Sequence, residues 1–263
     1  MDRIFRIEQN GRPKYVLRKD DATQWHRLDG DPFGDYTTGP AIKDEGVRVL
    51  SPVQPSKIVA VGLNYRDHAR EMNKPLPDEP LLFLKPSTAV IGPHDAIVMP
   101  SQAGRVDYEA ELGIVIRKQA KAIAAAEAAQ YILGLTCVND VTARELQARD
   151  VQYTRAKGFD TFAPIGPCIA VGLDGSSLDV ESLVNGERRQ ASNTRELIFG
   201  LHHLVEFVSS VMTLLPGDVI ATGTPSGIGP VAPGDRVVVK VEGIGELVNE
   251  VVADTSMLGG LTS

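Results

Sequence analysis

The chain has 263 residues, 43% of them hydrophobic, and its 27 basic and 34 acidic side chains leave a net charge of −7. That length suits one large domain plus a small one, and that apolar fraction supplies a sizeable core. A mildly acidic balance argues against nucleic acid or an anionic membrane as partner.

No apolar run reaches the length needed to span a bilayer. Met1-Asp2-Arg3-Ile4-Phe5-Arg6 lacks an apolar signal core, and the early Asp2 and Glu8 argue against a transit peptide. Cys137 and Cys168 are too few and too far apart for a disulfide framework or a zinc site. A reducing cytoplasm is the expected compartment.

Residues 4–17 predict a hairpin turning at Asn10-Gly11, and the Gly-, Asp-, Thr- and Pro-rich stretch to Gly46 continues a small β-rich unit with Trp25 as its anchor. Ser51-Pro52-Val53-Gln54-Pro55-Ser56 reads as a linker. The expected division is therefore a small β-rich N-terminal domain over 1–52 and a larger domain over 53–263. The larger domain opens with an apolar strand from Lys57 to Gly62, after which Asn64 is placed to cap a short helix carrying Asp67 in its first turn. Leu81–Leu84 is a second short strand, ending at Lys85-Pro86.

Val106 to Leu112 reads Val-Asp-Tyr-Glu-Ala-Glu-Leu, and Gly113-Ile114-Val115-Ile116 follows. Alternation running into β-branched residues predicts one strand. Residues two apart on a strand share a face about 6–7 Å apart, so Glu109 and Glu111 point the same way. Unscreened carboxylates this close repel, and one must be protonated or a cation must stand between them. A solvated acidic strand face would show the same pattern.

An Ala-rich helix is predicted at about 120–130, then a strand from Tyr131 to Val138 that stops at Asn139-Asp140. Thr142-Ala143-Arg144-Glu145 has capping-box spacing, which starts another helix. Leu201, Leu204, Val205, Val208 and Met212 repeat at helical spacing over 201–214. Pro-Gly-Asp turns at 216–218 and 233–235 each introduce a β run, Val219 to Thr222 and Arg236 to Val241. Strands dominate, and the absence of Gly-x-Gly-x-x-Gly speaks against a dinucleotide-binding βαβ plan.

Asp140, where a strand gives way to a helix, taken alone reads as an ordinary N-terminal helix cap, but it can also join Glu109 and Glu111. Three carboxylates and nothing softer suit Mg²⁺ or Mn²⁺, and leave about three octahedral positions for substrate and water. His68 and Glu71 share a face at i, i+3, so the carboxylate can fix one imidazole tautomer while the other nitrogen acts as base. An exposed, all-polar helix would have the same spacing. The Thr224-Pro225-Ser226-Gly227 turn can offer hydroxyl and backbone N–H donors to a carboxylate, or be a plain Gly-rich turn.

Five motifs in order make the chain resemble the fumarylacetoacetate hydrolase family from about Lys57 onward. They are Gly62-Leu63-Asn64-Tyr65-Arg66-Asp67-His68, Phe83-Leu84-Lys85-Pro86, Asp107-Tyr108-Glu109-Ala110-Glu111-Leu112, Asn139-Asp140-Val141-Thr142-Ala143-Arg144 and Thr222-Gly223-Thr224-Pro225. The resemblance is to the short branch of acylpyruvases, oxaloacetate decarboxylases and hydroxymuconate isomerases. It implies an α+β, mostly β fold with the mixed sheet of the fumarylacetoacetase C-terminal domain, a homodimer, and Mg²⁺ (or Mn²⁺) on Glu109, Glu111 and Asp140.

It further implies that His68 and Glu71 ride on a mobile lid, that Lys157 is the active-site lysine, and that Lys85, Arg144, Gln147 and Thr224 line the substrate pocket. Lys157 taken alone would be a surface lysine laid along an apolar patch. His26, His94, His202 and His203 fall in no motif and read as structural.

The expected chemistry is metal-dependent C–C cleavage of a small 2-oxo acid, by hydrolysis of an acylpyruvate or decarboxylation of oxaloacetate, through an enolate. Isomerisation of a 2-hydroxyhepta-2,4-diene-1,7-dioate type substrate in aromatic catabolism is the alternative. A non-catalytic metal-binding protein on the same fold is the reading outside enzymes.

Overall fold

In the computed structural model, residues 1–19 and 23–255 of the chain are described. A twelve-stranded mixed sheet organises the molecule. Its main path runs through Tyr36–Ile42, Trp25–Gly30, Arg12–Lys19, Asp2–Gln9, Ala163–Val171, Ile132–Asn139, Ala110–Ile116, Val219–Ala221, Ile58–Gly62 and Leu81–Lys85. Most neighbours are antiparallel, but Val219–Ala221 runs parallel to Ile58–Gly62. The expected N-terminal hairpin forms with Asn10 and Gly11 at positive φ, as a tight turn between right-twisted strands requires. Its first strand pairs with Ala163–Val171, so the N-terminal strands continue the same sheet as the later ones.

A five-stranded sheet, Glu187–Asn193, Asp179–Val184, Arg236–Val241, Gly245–Ala253 and Ala96–Met99, packs against the large one. Period-two alternation decides what fills the space between. Leu112, Ile114 and Ile116 point to one side, where they share a core with Val180, Val239, Val241 and Leu247. Val115 points to the other side, into a core with Ile4, Leu17, Ile58 and Val138. Both faces of the central strand are buried, which is why Gly113-Ile114-Val115-Ile116 is an unbroken apolar run. The Leu201–Val211 helix lays Leu204, Val205 and Val208 onto the first of these cores, following the predicted stripe.

Four local expectations are revised. The Ser51–Pro55 stretch is no loose linker, since Ser51, Pro52, Val53 and Pro55 are buried. The Ala-rich segment forms only a short 3₁₀ helix, Ala125–Gln130, because its residues from Ala120 to Ala122 are already committed to backbone bonds with Leu214 and Ser209. Thr142 does not cap the Arg144–Asp150 helix. It pairs in a two-residue strand with Asp107, and its hydroxyl donates to Asp140 O at 2.9 Å. Asn64 does not cap the Arg66–Glu71 helix either, for its amide is used elsewhere. No helix among the described residues is long and apolar enough to cross a membrane.

Candidate active site

The predicted strand over 106–116 breaks at Glu109. Val106–Tyr108 leaves the large sheet for a three-stranded one with Thr142–Ala143 and Gly229–Val231, whereas Ala110–Ile116 stays central. At the break the Glu109 amide donates to Asn139 Oδ1 at 3.0 Å, and the Asp140 amide donates to Glu109 O at 2.9 Å. These two bonds place Asp140, just past the end of its strand, beside the acidic pair. One ligand atom from each of Glu109, Glu111 and Asp140 lies within 4.8 Å of the others, and all three residues are buried. A solvated acidic face is therefore excluded.

The repulsion expected between these carboxylates is met partly by buried cations. Lys157 Nζ donates to Glu109 Oε2 at 2.8 Å and to Asp140 Oδ2 at 2.5 Å. Lys85 Nζ donates to Asp140 Oδ1 at 2.5 Å and to Val141 O at 3.1 Å. Arg144 reaches Glu109 Oε1 at 2.5 Å and Asp107 Oδ2 at 2.9 Å, and a further donor meets Gln147 Oε1 at 2.6 Å. Lys157 is thus an interior charge, 2% exposed, and not a surface lysine.

Placement sets the protonation of each group. Burial works to raise the Glu109 carboxyl, but Lys157 and Arg144 outweigh it and hold the group down to about 2. Burial would likewise discharge Lys157, yet Asp140 and Glu109 keep its pKa above the usual lysine value. Lys85, fully buried with one carboxylate partner and repelled by Lys157, is pushed down. Glu111 is the exception among the carboxylates. Burial, then Asp140 and Glu109, push it well above the ordinary range, and its hydrogen-bond partner is the Gly223 amide at 2.9 Å. Burial and two acidic neighbours outweigh the more distant Lys157 and favour the protonated form, which a bound cation would displace. That property, with three hard oxygen donors converging, fits a divalent cation of the Mg²⁺ or Mn²⁺ type.

The short Arg66–Glu71 helix is polar in sequence, yet His68 and Ala69 are buried. His68 Nδ1 meets Glu71 Oε2 at 2.8 Å, the pairing expected from the spacing. Glu71 Oε1 accepts the Gly227 amide at 2.9 Å. The Thr222–Gly227 loop therefore touches both halves of the site, giving the Gly223 N–H to Glu111 and the Gly227 N–H to Glu71. Asn64 anchors the loop and helix together: its amide donates to Thr222 O at 2.8 Å and accepts from Phe199 N at 2.8 Å. Gly223, at φ +101, leaves no room for a side chain, since a Cβ would lie 2.8 Å from Asn64 Cβ.

Thr224 differs from the expectation of a free donor for substrate. Its hydroxyl donates to Ala110 O at 2.9 Å and accepts from Gln190 Nε2 at 2.8 Å, so it shapes the metal strand from behind. Gln147 lies beside the cluster through Arg144. His202 and His203 line a separate cavity of about 630 Å³ that contains none of these residues.

Sequence reasoning places Asn139 and Tyr65 in motifs without giving either a role, and it does not single out Gln190 at all. Asn139 and Gln190 hold backbone amides on either side of Glu109, a task with no linear signature. Tyr65 buries a hydroxyl without a partner among the described residues, and burial, with Glu111 and Asp67 nearby, raises its pKa.

Residues 57–252 match the family described as "Fumarylacetoacetate (FAA) hydrolase C-terminal", and residues 2–52 match "Rv2993c-like, N-terminal". The chain is 41% identical over 226 residues to the "Oxaloacetate tautomerase FAHD2B, mitochondrial" of Bos taurus, covering 81% of this chain and 72% of the bovine one. It superposes with a TM-score of 0.90 on a 2-hydroxyhepta-2,4-diene-1,7-dioate isomerase from Mycobacterium marinum, 40% identical, over 97% of this chain and all of that one. It is also similar to a maleylpyruvate hydrolase from Sphingobium sp. SYK-6 solved with manganese(II) and pyruvate, at 28% identity and a TM-score of 0.78, over 96% of this chain and all of that one.

Proposed function

The chain belongs to the fumarylacetoacetate hydrolase family, and from that premise we propose that it catalyses metal-dependent proton transfer on a small 2-oxo acid, with keto–enol interconversion of an oxaloacetate-like diacid as its reaction. The observation that carries this reading is the Thr222–Gly227 loop. It joins a buried three-carboxylate cluster to a histidine whose Nδ1 is already held by a glutamate.

Glu109, Glu111 and Asp140 would hold the cation, which when bound polarises the 2-oxo group and makes the adjacent carbon acidic. His68 does the proton work. With Nδ1 on Glu71, Nε2 takes the proton from the carbon next to the oxo group. The C–H electron pair becomes the new C=C bond, and the charge moves to the 2-oxo oxygen. Lys157, kept charged by its carboxylate partners, is the cation that answers that charge. Arg144, whose three nitrogens are held by Asp107, Gln147 and Glu109, is 24% exposed, and the second N–H of each terminal nitrogen would be its donor to a substrate carboxylate. Return of the proton to oxygen or carbon completes an isomerisation with no net change in atoms.

C–C cleavage is the second reading, favoured by the similarity to a maleylpyruvate hydrolase. There His68 would deprotonate a water that attacks a distal acyl carbonyl, the C–C bond would break towards the 2-oxo side, and the enolate charge would rest on the 2-oxo oxygen that Lys157 answers. The deciding experiment follows enol-oxaloacetate loss by ultraviolet absorbance and pyruvate release from acylpyruvates, with Mg²⁺ or Mn²⁺ and again after EDTA. Metal-dependent enol loss without pyruvate release supports proton transfer. Pyruvate release as the faster reaction moves the assignment to cleavage. No EDTA-sensitive turnover of either kind leaves a non-catalytic metal-binding protein.

A further inference from the structure

We propose that the Glu187–Asn193 strand sets the position of the His68 helix relative to the metal-binding strand, with Ser192 and Gln190 as positioning residues. The strand is otherwise exposed and charged: Glu187, Arg188 and Arg189 face solvent, and Arg189 pairs with Glu187 at 2.9 Å. Gln190 breaks that pattern at 1% exposure. A buried amide is costly unless every polar atom is used, and here each is. Gln190 Oε1 accepts the Ala110 amide at 3.0 Å, between the two metal-ligand glutamates, and Nε2 donates to Thr224 Oγ1 and Pro225 O at 2.8 and 2.9 Å.

Ser192 is two residues on and shares a face with Gln190. Its hydroxyl donates to Asp67 Oδ2 at 2.5 Å, and Asp67 Oδ1 accepts the His68 amide at 2.7 Å. One strand face therefore holds the peptide between Glu109 and Glu111 with one residue and the foot of the His68 helix with the next. The same strand abuts Gly227, where a Cβ would collide with Arg189 O, and Gly227 is the amide that Glu71 grips. The helix is only six residues long and too short to hold itself. Its placement has to come from outside, and at the end opposite to Glu71 Ser192 through Asp67 shares that task with Arg66, which donates to Leu197 O at 2.6 Å.

This inference rests on the reading of His68 as the base. The test pairs Ser192→Ala with Ser192→Thr, Asp67→Asn and His68→Ala, and reads both steady-state kinetics and protease cleavage within 64–76 in the presence of oxalate plus Mg²⁺. Ser192→Ala is expected to lose about 10–100-fold in kcat/KM, the value of one hydrogen bond to a charged acceptor. It should speed cleavage of the helix segment by a similar factor and leave Mn²⁺ affinity unchanged. Ser192→Thr should restore both, and Asp67→Asn, whose amide can still donate to the Ser192 hydroxyl, should show a smaller loss in the same direction. Gln190→Leu is expected to weaken Mn²⁺ binding, since the Ala110 amide loses its acceptor.

A wild-type cleavage rate in Ser192→Ala would overturn the proposal, as would a Ser192→Thr variant no better than Ser192→Ala. Cleavage does not depend on turnover. If His68→Ala is fully active while Ser192→Ala still frees the helix, the base assignment fails and the positioning role stands.

Discussion

Glu71 and Gly227, 156 positions apart, meet through one hydrogen bond of 2.9 Å from the glycine amide to Oε1, while the other carboxylate oxygen holds His68. One side chain thus orients the imidazole and fastens its helix to the loop that also contacts Glu111. Glu71→Gln keeps one acceptor oxygen and cannot accept from both partners, so with Oε1 on Gly227 its amide would favour the imidazole tautomer with the proton on Nε2. Its kcat/KM is expected to fall about 10–100-fold, against about 10²–10⁴-fold for His68→Ala, the usual worth of a general base. Residues that act as a unit are not additive, so the His68→Ala, Glu71→Ala double variant should cost little beyond His68→Ala. Additive losses in steady-state kinetics would contradict the dyad.

The three carboxylates differ in what their removal does to the fold. Asp140→Ala leaves Lys85 with the Val141 carbonyl and no carboxylate and deprives Lys157 of one of two partners, and breaking such buried pairs typically costs about 3–5 kcal/mol. Glu111→Gln removes an acid that has no basic contact and keeps an acceptor for Gly223. Both variants should lose Mg²⁺- or Mn²⁺-dependent activity. In thermal melts without metal, Asp140→Ala should fall well below wild type and Glu111→Gln should equal or exceed it. Equal melting temperatures for the two would show that the lysines are not held as described.

The same contrast has a pH signature. The folded-state pKa of Glu111 lies above its ordinary value of 4.5, so the folded chain binds that proton more tightly than the unfolded chain. Its contribution is most favourable below 4.5 and declines as pH rises through the folded value. Glu109 runs the other way: with a folded pKa of about 2, its contribution is full above 4.5 and disappears as pH falls from there towards 2. Metal competes with the proton on Glu111, so Mn²⁺ affinity should weaken as the pH is lowered through that raised pKa. Calorimetric titrations across pH check this, and in Glu111→Gln the stability slope above 4.5 should flatten.

His68→Ala also separates the reactions open to one site. Acylpyruvate hydrolysis needs an activated water, whereas loss of a β-carboxylate from oxaloacetate needs only stabilisation of charge on the 2-oxo oxygen and a later proton. The variant should lose keto–enol transfer and hydrolysis by the factor given above and retain part of any decarboxylation. Lys157→Met should damage all three, because the charge on the 2-oxo oxygen is common to them. Parallel assays of enol loss, CO₂ release and pyruvate release make the comparison.

Gly223→Ala tests the loop. Its φ of +101 and the absent space beside Asn64 predict a loss of stability together with weakened metal binding, because the displaced amide is the one Glu111 accepts. A variant with native melting and native Mn²⁺ affinity would deny the loop that role.

Much of this protein is legible in one dimension. The hairpin at Asn10-Gly11, the central apolar strand, the strands after both Pro-Gly-Asp turns and the Leu201–Val211 helix follow from turn chemistry and hydrophobic period, which act between near neighbours. Spacing alone also yields Glu109 with Glu111 and His68 with Glu71, since each pair lies within one repeat of its element. What the sequence could not decide is where charges finish. Whether Lys157 lies in water or between Glu109 and Asp140, and whether the acidic face is wet or buried, depends on how separate strands pack. Local period cannot signal the break at Glu109, which arises because Asn139 and Gln190 capture the amides on its two sides from positions 30 and 80 residues away. Desolvation and buried hydrogen bonding act through space, so the protonation of Glu111 and the seat of the His68 helix exist only once the strands are assembled.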